Sequence, residues 1–204
     1  MPKEKGNKKR GLNNFFKENY SKCWKFLKES KNFIYTAMLI FFGFVLIGFF
    51  IPVPDYIANE LIKILNEIIE QTKGMSQFEL IQFIFFNNLQ SSFFGMISGI
   101  FVGIFPAFFA VFNGYILGFV ASLTTESDGI GVLWRILPHG IFELPAVFIV
   151  LGFGFKIGKT IFQNNKLQYF KYNIYEIARV FIFIILPLLI IAAFIEGSLI
   201  VLLK

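Results

Sequence analysis

The sequence is poor in the residues that do chemistry. Its 204 positions include one cysteine, Cys23, and one histidine, His139, and only 16% of them are charged. A single cysteine cannot form an intrachain disulfide, and zinc sites built from several cysteines are excluded. Cys23 is therefore expected to be a reduced thiol. With one histidine there is no HExxH, and GxSxG is also missing. No catalytic residue, metal or cofactor is assigned, and the chain is expected not to be an enzyme. No cleaved leader is expected either. The first apolar run, Phe33–Val53, is longer than a signal-peptide core and no small-residue cleavage site follows it. It is expected to remain as a membrane span. No internal repeat is evident.

Apolar surface is abundant. The composition is 56% hydrophobic, with 30 phenylalanines. A water-soluble domain of this size cannot hide so much apolar surface in one core, whereas lipid accepts it directly. The expected fold is all-α, a polytopic membrane helix bundle of about five spans. Interfacial amphipathic helices and a broken or re-entrant helix near 130–145 complete it.

Residues 1–31 form a basic cytoplasmic segment. Ten lysines and arginines stand against three glutamates, a net of +7. Leu12, Phe15, Phe16, Tyr20, Trp24 and Leu27 recur at helical spacing. That pattern predicts a basic amphipathic helix lying on an anionic membrane surface. Nucleic acid is not needed to explain the charge, because the positive-inside rule places lysines beside a span.

Residues 32–204 are the membrane domain. Pro52 and Pro54 stop the first span. An external amphipathic region, 55–86, follows. Within it Asp55–Lys73 carries one apolar stripe, Gly74 ends that helix, and Ser76–Phe86 reads as a second short interfacial helix. Residues 55–79 hold two lysines against five acids, a net of −3. The second span is expected over about 89–112, with Pro106 kinking it. In it Gly95, Gly99, Gly103 and Ala107 recur every four residues, a face for close helix packing or for a homodimer, with Ser98 bonding across the contact. Asn113-Gly114 reads as a tight turn, and a short third crossing ends at the acidic Glu126 and Asp128. A fourth crossing, Ile141–Phe155, leads to a basic loop of net +4 over 156–179. Val180–Leu203 is the last span, kinked at Pro187. The alternating charge predicts a cytoplasmic N-terminus and an external C-terminus in the plasma membrane.

Ionisable groups interrupt the apolar sequence at WRILPHGIFELPA. Arg135, His139 and Glu143 are spaced i, i+4, i+8, which is one face of a continuous helix. Pro138 breaks that continuity and fits the first turn of a new helix, with Arg135 on a preceding segment. Ionised groups at mid-bilayer cost about 2.5–3.5 kcal/mol each on insertion scales and persist where they pair or meet water. The predicted site is a buried polar cluster of Arg135, His139 and Glu143. Gly140 and Pro145 shape the helix around it, and Asn87, Asn88 and Asn113 are further polar candidates. Such a cluster either fixes how a broken helix packs or serves a partner or permeating species.

Three segments carry a family resemblance. NGYILG, containing Asn113, Gly114 and Gly118, the string LPHGIFELPA over Leu137–Ala146, and the upstream FFGMISGIFVGIFPA together resemble the stage II sporulation protein M family of polytopic membrane proteins. The resemblance covers about 87–158. It implies a multi-span plasma-membrane protein without known catalytic activity. In spore formers the namesake anchors a cell-wall-degrading complex that drives engulfment, with peptidoglycan hydrolases as partners. The expectation is a non-enzymatic scaffold or anchor for another membrane or envelope protein. The alternative is a transporter or channel component with a buried polar site.

If Glu143 belongs to a buried cluster, Glu143→Ala lowers the yield of folded protein in detergent extracts more than Glu126→Ala. Equal yields would remove Glu143 from any buried site.

Overall fold

The computed structural model describes residues 3–131 and 137–202, and for 3–12, 128 and 137–139 it describes the backbone alone. Among the described residues the chain is helical without a strand. The helices are α1 (Lys3–Phe50), α2 (Asp55–Thr72), α3 (Gln77–Ile97), α4 (Ile104–Asp128), α5 (Leu137–Thr160) and α6 (Lys166–Leu202). A 3₁₀ turn, Ser98–Ile100, joins α3 to α4. A π-helical turn, Phe181–Ile185, interrupts α6. Four segments are long and apolar enough to cross a membrane: Asn13–Phe50, Ile104–Ser127, Gly140–Thr160 and Lys166–Leu202. α3 is a fifth long helix, made more polar by Asn87, Asn88 and Gln90.

α5 occupies the centre and touches α1, α3, α4 and α6, while α1 pairs with α4 and α3 pairs with α6. The core between them holds Cys23 and Phe26 of α1, Val150 and Phe153 of α5, and Ile177 and Leu189 of α6. The Phe26 and Phe153 rings sit 5.3 Å apart.

Several sequence boundaries move. The basic N-terminal helix and the first span are one unbroken helix, α1. Its aromatic side chains meet the bundle: the Phe15, Phe16 and Tyr20 rings lie 6.1, 6.1 and 5.8 Å from that of Phe183. The amphipathic stripe thus meets α6 of the same bundle along one edge, while Phe15, Phe16, Tyr20 and Trp24 all remain largely exposed. α2 has the expected limits, and Gly74 follows it in the left-handed region at φ 84°. Ser76–Phe86 is not a separate interfacial helix. A capping box between Ser76 and Glu79 starts α3, which continues to Ile97.

The glycine-rich segment is a corner rather than mid-span. Gly95 lies in the last turn of α3, which ends at Ile97, and Ala107 lies in the first turn of α4, which begins at Ile104, so Gly95, Gly99, Gly103 and Ala107 do not share one helical face. Their packing role survives in another form. Val102 and Gly103 take positive φ of 58° and 76° and turn the chain. A β-branched residue there carries about 1–3 kcal/mol of strain and persists only where packing dictates it. Gly158 supplies that packing, since a side chain on it would strike the backbone of Val102 and Gly103. Gly99 rests on the backbone of Gly154, and Gly95 faces Val150 and Leu151. Ser98 does not bond across the contact; its hydroxyl donates to the carbonyl of Gly95, 3.0 Å away.

Asn113-Gly114 is not a turn. Both residues lie mid-helix in the 25-residue α4, which replaces the short third crossing. Asn113 is exposed and donates to the Phe109 carbonyl at 2.8 Å, so its amide stays on its own helix. Gly114 and Gly118 face α1, where side chains would meet the carbonyls of Phe41 and Val45, and Gly48 faces Tyr115 in return. Pro106 falls in the first turn of α4, where its missing N–H costs no helical bond. Near Pro187 the irregularity is the π turn just before it, on the stretch where the proline ring crowds the preceding carbonyls.

Gly118→Val should destabilise the protein by about 1–3 kcal/mol or prevent folding, because the neighbour is backbone and cannot yield. Gly43→Ala, with nothing within 4 Å of its added methyl, should be neutral or stabilising. Thermal unfolding in detergent compares the two, and equal losses would refute the close α1–α4 approach.

Candidate functional site

The sequence-predicted polar cluster is only partly in view. Arg135 lies outside the described residues, and of His139 the backbone alone is described. Pro138 is the second residue of α5, the segment expected to precede it (132–136) lies outside the described residues, and Pro145 lies inside the helix. Glu143 is half-buried on α5 and takes part in an interaction. Gly140 packs against Leu144 of its own helix. Of the other polar candidates, Asn87 is exposed on α3, and Asn88 points inward with a buried Nδ2 that has no hydrogen-bond partner among the described residues.

A second polar site, which sequence reasoning missed, forms where α1, α5 and α6 converge at the basic end of the bundle. Lys156 is half-buried near the end of α5. Its Nζ donates to Ser30 Oγ at 2.9 Å and lies 3.8 Å from the centre of the Phe26 ring. Ser30 is fully buried and passes the bond on, donating to the Phe26 carbonyl at 2.7 Å. The ammonium therefore has a hydroxyl acceptor, an aromatic face, and the fields of Glu29 and Glu176. Each carboxylate is itself engaged. Tyr172 OH donates to Glu29 at 3.1 Å, and Arg179 pairs with Glu176 while stacking 4.7 Å from the Tyr175 ring. The buried Cys23 lies within the fields of Arg179 and Glu176.

The arrangement ties three helices together through charge. Ser30 Oγ is engaged by the Lys156 ammonium and by the Phe26 carbonyl, and no group of three or more His, Cys, Asp or Glu suited to a metal ion occurs among the described residues. Nothing local flags Lys156 in the sequence, where it counts as one more loop lysine. Its partner Ser30 is 126 residues away.

Lys156→Ala should cost about 1–3 kcal/mol, because it removes a charged hydrogen bond and a desolvated cation–π interaction at once. Lys171→Ala, at an exposed position, should cost far less. Melting temperatures in one detergent check this, and equal shifts would dissolve the cluster as a structural unit.

Comparison with known proteins supplies the remaining observation. The family model described as "SpoIIM: Stage II sporulation protein M" matches residues 37–199. No curated protein and no solved structure matches. The match runs from the middle of α1 to the end of α6 and takes in the glycine contacts, the corner at 98–103 and the polar start of α5. This chain belongs to the stage II sporulation protein M family.

Proposed function

We propose that this protein is a non-enzymatic scaffold of the plasma membrane that holds an envelope protein at the outer surface through α2. The basic end of the bundle then faces the cytoplasm and the acidic end faces out, in accord with the charge asymmetry of the sequence. α2 is the observation that carries the reading. It is an amphipathic helix with only Leu61 buried, and Ile64, Ile68 and Ile69 are 40, 48 and 61% exposed. Its polar side holds Asp55, Glu60, Glu67 and Glu70 against Lys63, a net of −3. A helix built to lie on anionic lipid is rich in lysine and arginine instead. The acidic rim and uncovered apolar stripe of α2 suit a protein groove rimmed with basic residues, the helix-in-groove mode. A family whose namesake anchors a cell-wall-degrading complex agrees with such a role.

The test is a photo-crosslinker placed at Ile68, activated in living cells. Capture of one envelope protein, abolished in the Ile64→Glu, Ile69→Glu double variant at unchanged folded yield, is the expected result. Capture of lipid alone would overturn the docking role.

A further inference from the structure

α3 has two dissimilar faces. Leu80, Ile84, Ser92, Gly95 and Met96 are buried against the bundle. The opposite face carries Gln82, Phe83, Phe86, Asn87 and Gln90, which with Glu79 line a shallow surface groove that no other helix lines among the described residues. Gln82, Asn87 and Gln90 are exposed, and the intervals from Glu79 to Gln82, Phe83, Phe86 and Gln90 keep them on one stripe.

The depth of that stripe follows from its neighbours. At one end of α3, Ile81 abuts Gly197 of α6, and Gln77 Nε2 donates to Ser198 Oγ at 3.0 Å. At the other end, Gly95 meets Val150 and Leu151 of α5, and the following corner places Gly99 on Gly154. α3 therefore runs lengthwise beside two helices that are apolar enough to cross a membrane. On the reading of this protein as a membrane bundle, three carboxamides on the outer face stand at the depth of acyl chains. Hydrocarbon offers them neither donor nor acceptor, so the face calls for a polar cover.

We infer that the outer face of α3 is the contact between two copies of this chain, paired through Gln82, Asn87 and Gln90. A bilayer holds all copies in one orientation, so a two-fold axis runs along the membrane normal and the two α3 helices are parallel. Each residue near the axis then meets its own copy. Carboxamides suit that geometry, since each is both donor and acceptor and pairs with itself. Ammonium or carboxylate groups would repel their copies. α3 carries no lysine or arginine, and its one acid, Glu79, lies in the first turn, at the end of the stripe. Phe83 and Phe86 provide apolar flanks to the amide pairs.

Disulfide trapping in native membranes tests the inference. In a Cys23→Ala background, Asn87→Cys and Gln90→Cys should each yield a covalent dimer on copper-phenanthroline oxidation. Leu39→Cys, on α1 and 77% exposed, should not. The Gln82→Leu, Asn87→Leu, Gln90→Leu triple variant should lose the dimer measured by light scattering in mild detergent while keeping the parental melting temperature, because leucine is at ease in lipid. Equal crosslinking at positions 39 and 87, a monomeric parent, or crosslinks from position 87 to a different protein would each overturn the inference. A water-soluble parent would overturn the membrane reading itself, and a monomeric but membrane-embedded parent would overturn only the pairing.

Discussion

Close backbone approach at glycine holds this bundle together. Between helices in lipid there is little hydrophobic gain, since acyl chains are as apolar as leucine, and cohesion comes from dense van der Waals packing. Gly48, Gly114 and Gly118 let α1 and α4 meet main chain to main chain. Gly154 and Gly158 let α5 accept the corner between α3 and α4. That corner contains a valine at positive φ, a conformation that lasts only because its neighbours leave no other. The α5 helix is thus a central post, gripped by the corner on one side and by α1 on another.

Charge adds a second kind of fastening at the basic end. Lys156 reaches across to Ser30 and Phe26 while Glu29 and Glu176 are taken up by Tyr172 and Arg179. Half-desolvated groups with several partners resist sliding of one helix along another, because any shift leaves a charge without its acceptor. Glycine contacts set the distance between helices, and the polar cluster sets their register. The proposed contact surfaces are the acid-rimmed apolar stripe of α2 and the amide-bearing face of α3.

The fold class and much of the layout were legible in the sequence, because composition and hydropathy report directly on the solvent a chain prefers. The limits of α2 were legible too, from flanking Pro54 and Gly74. Helix breaks were harder. Glycine at 114–118 and at 99–103 looks alike in sequence, yet the first set lies inside α4 and the second turns a corner. Glycine permits both left-handed turning and close packing, and local sequence does not distinguish them. The same holds for the N-terminal aromatic stripe, which served a lipid surface and a protein surface equally well as a pattern.

Taken alone, the residues determined that the chain is helical, that it belongs in a membrane, and which end is basic. Those follow from side-chain solvation and from backbone sterics, both of which are local. Tertiary structure decided that Lys156 is a tie rather than a loop charge, that Gly114 packs against Phe41, and which amides of α3 turn inward or outward. Such outcomes depend on contacts between residues far apart in the chain, and no short-range property of lysine, glycine or asparagine encodes the partner it will meet.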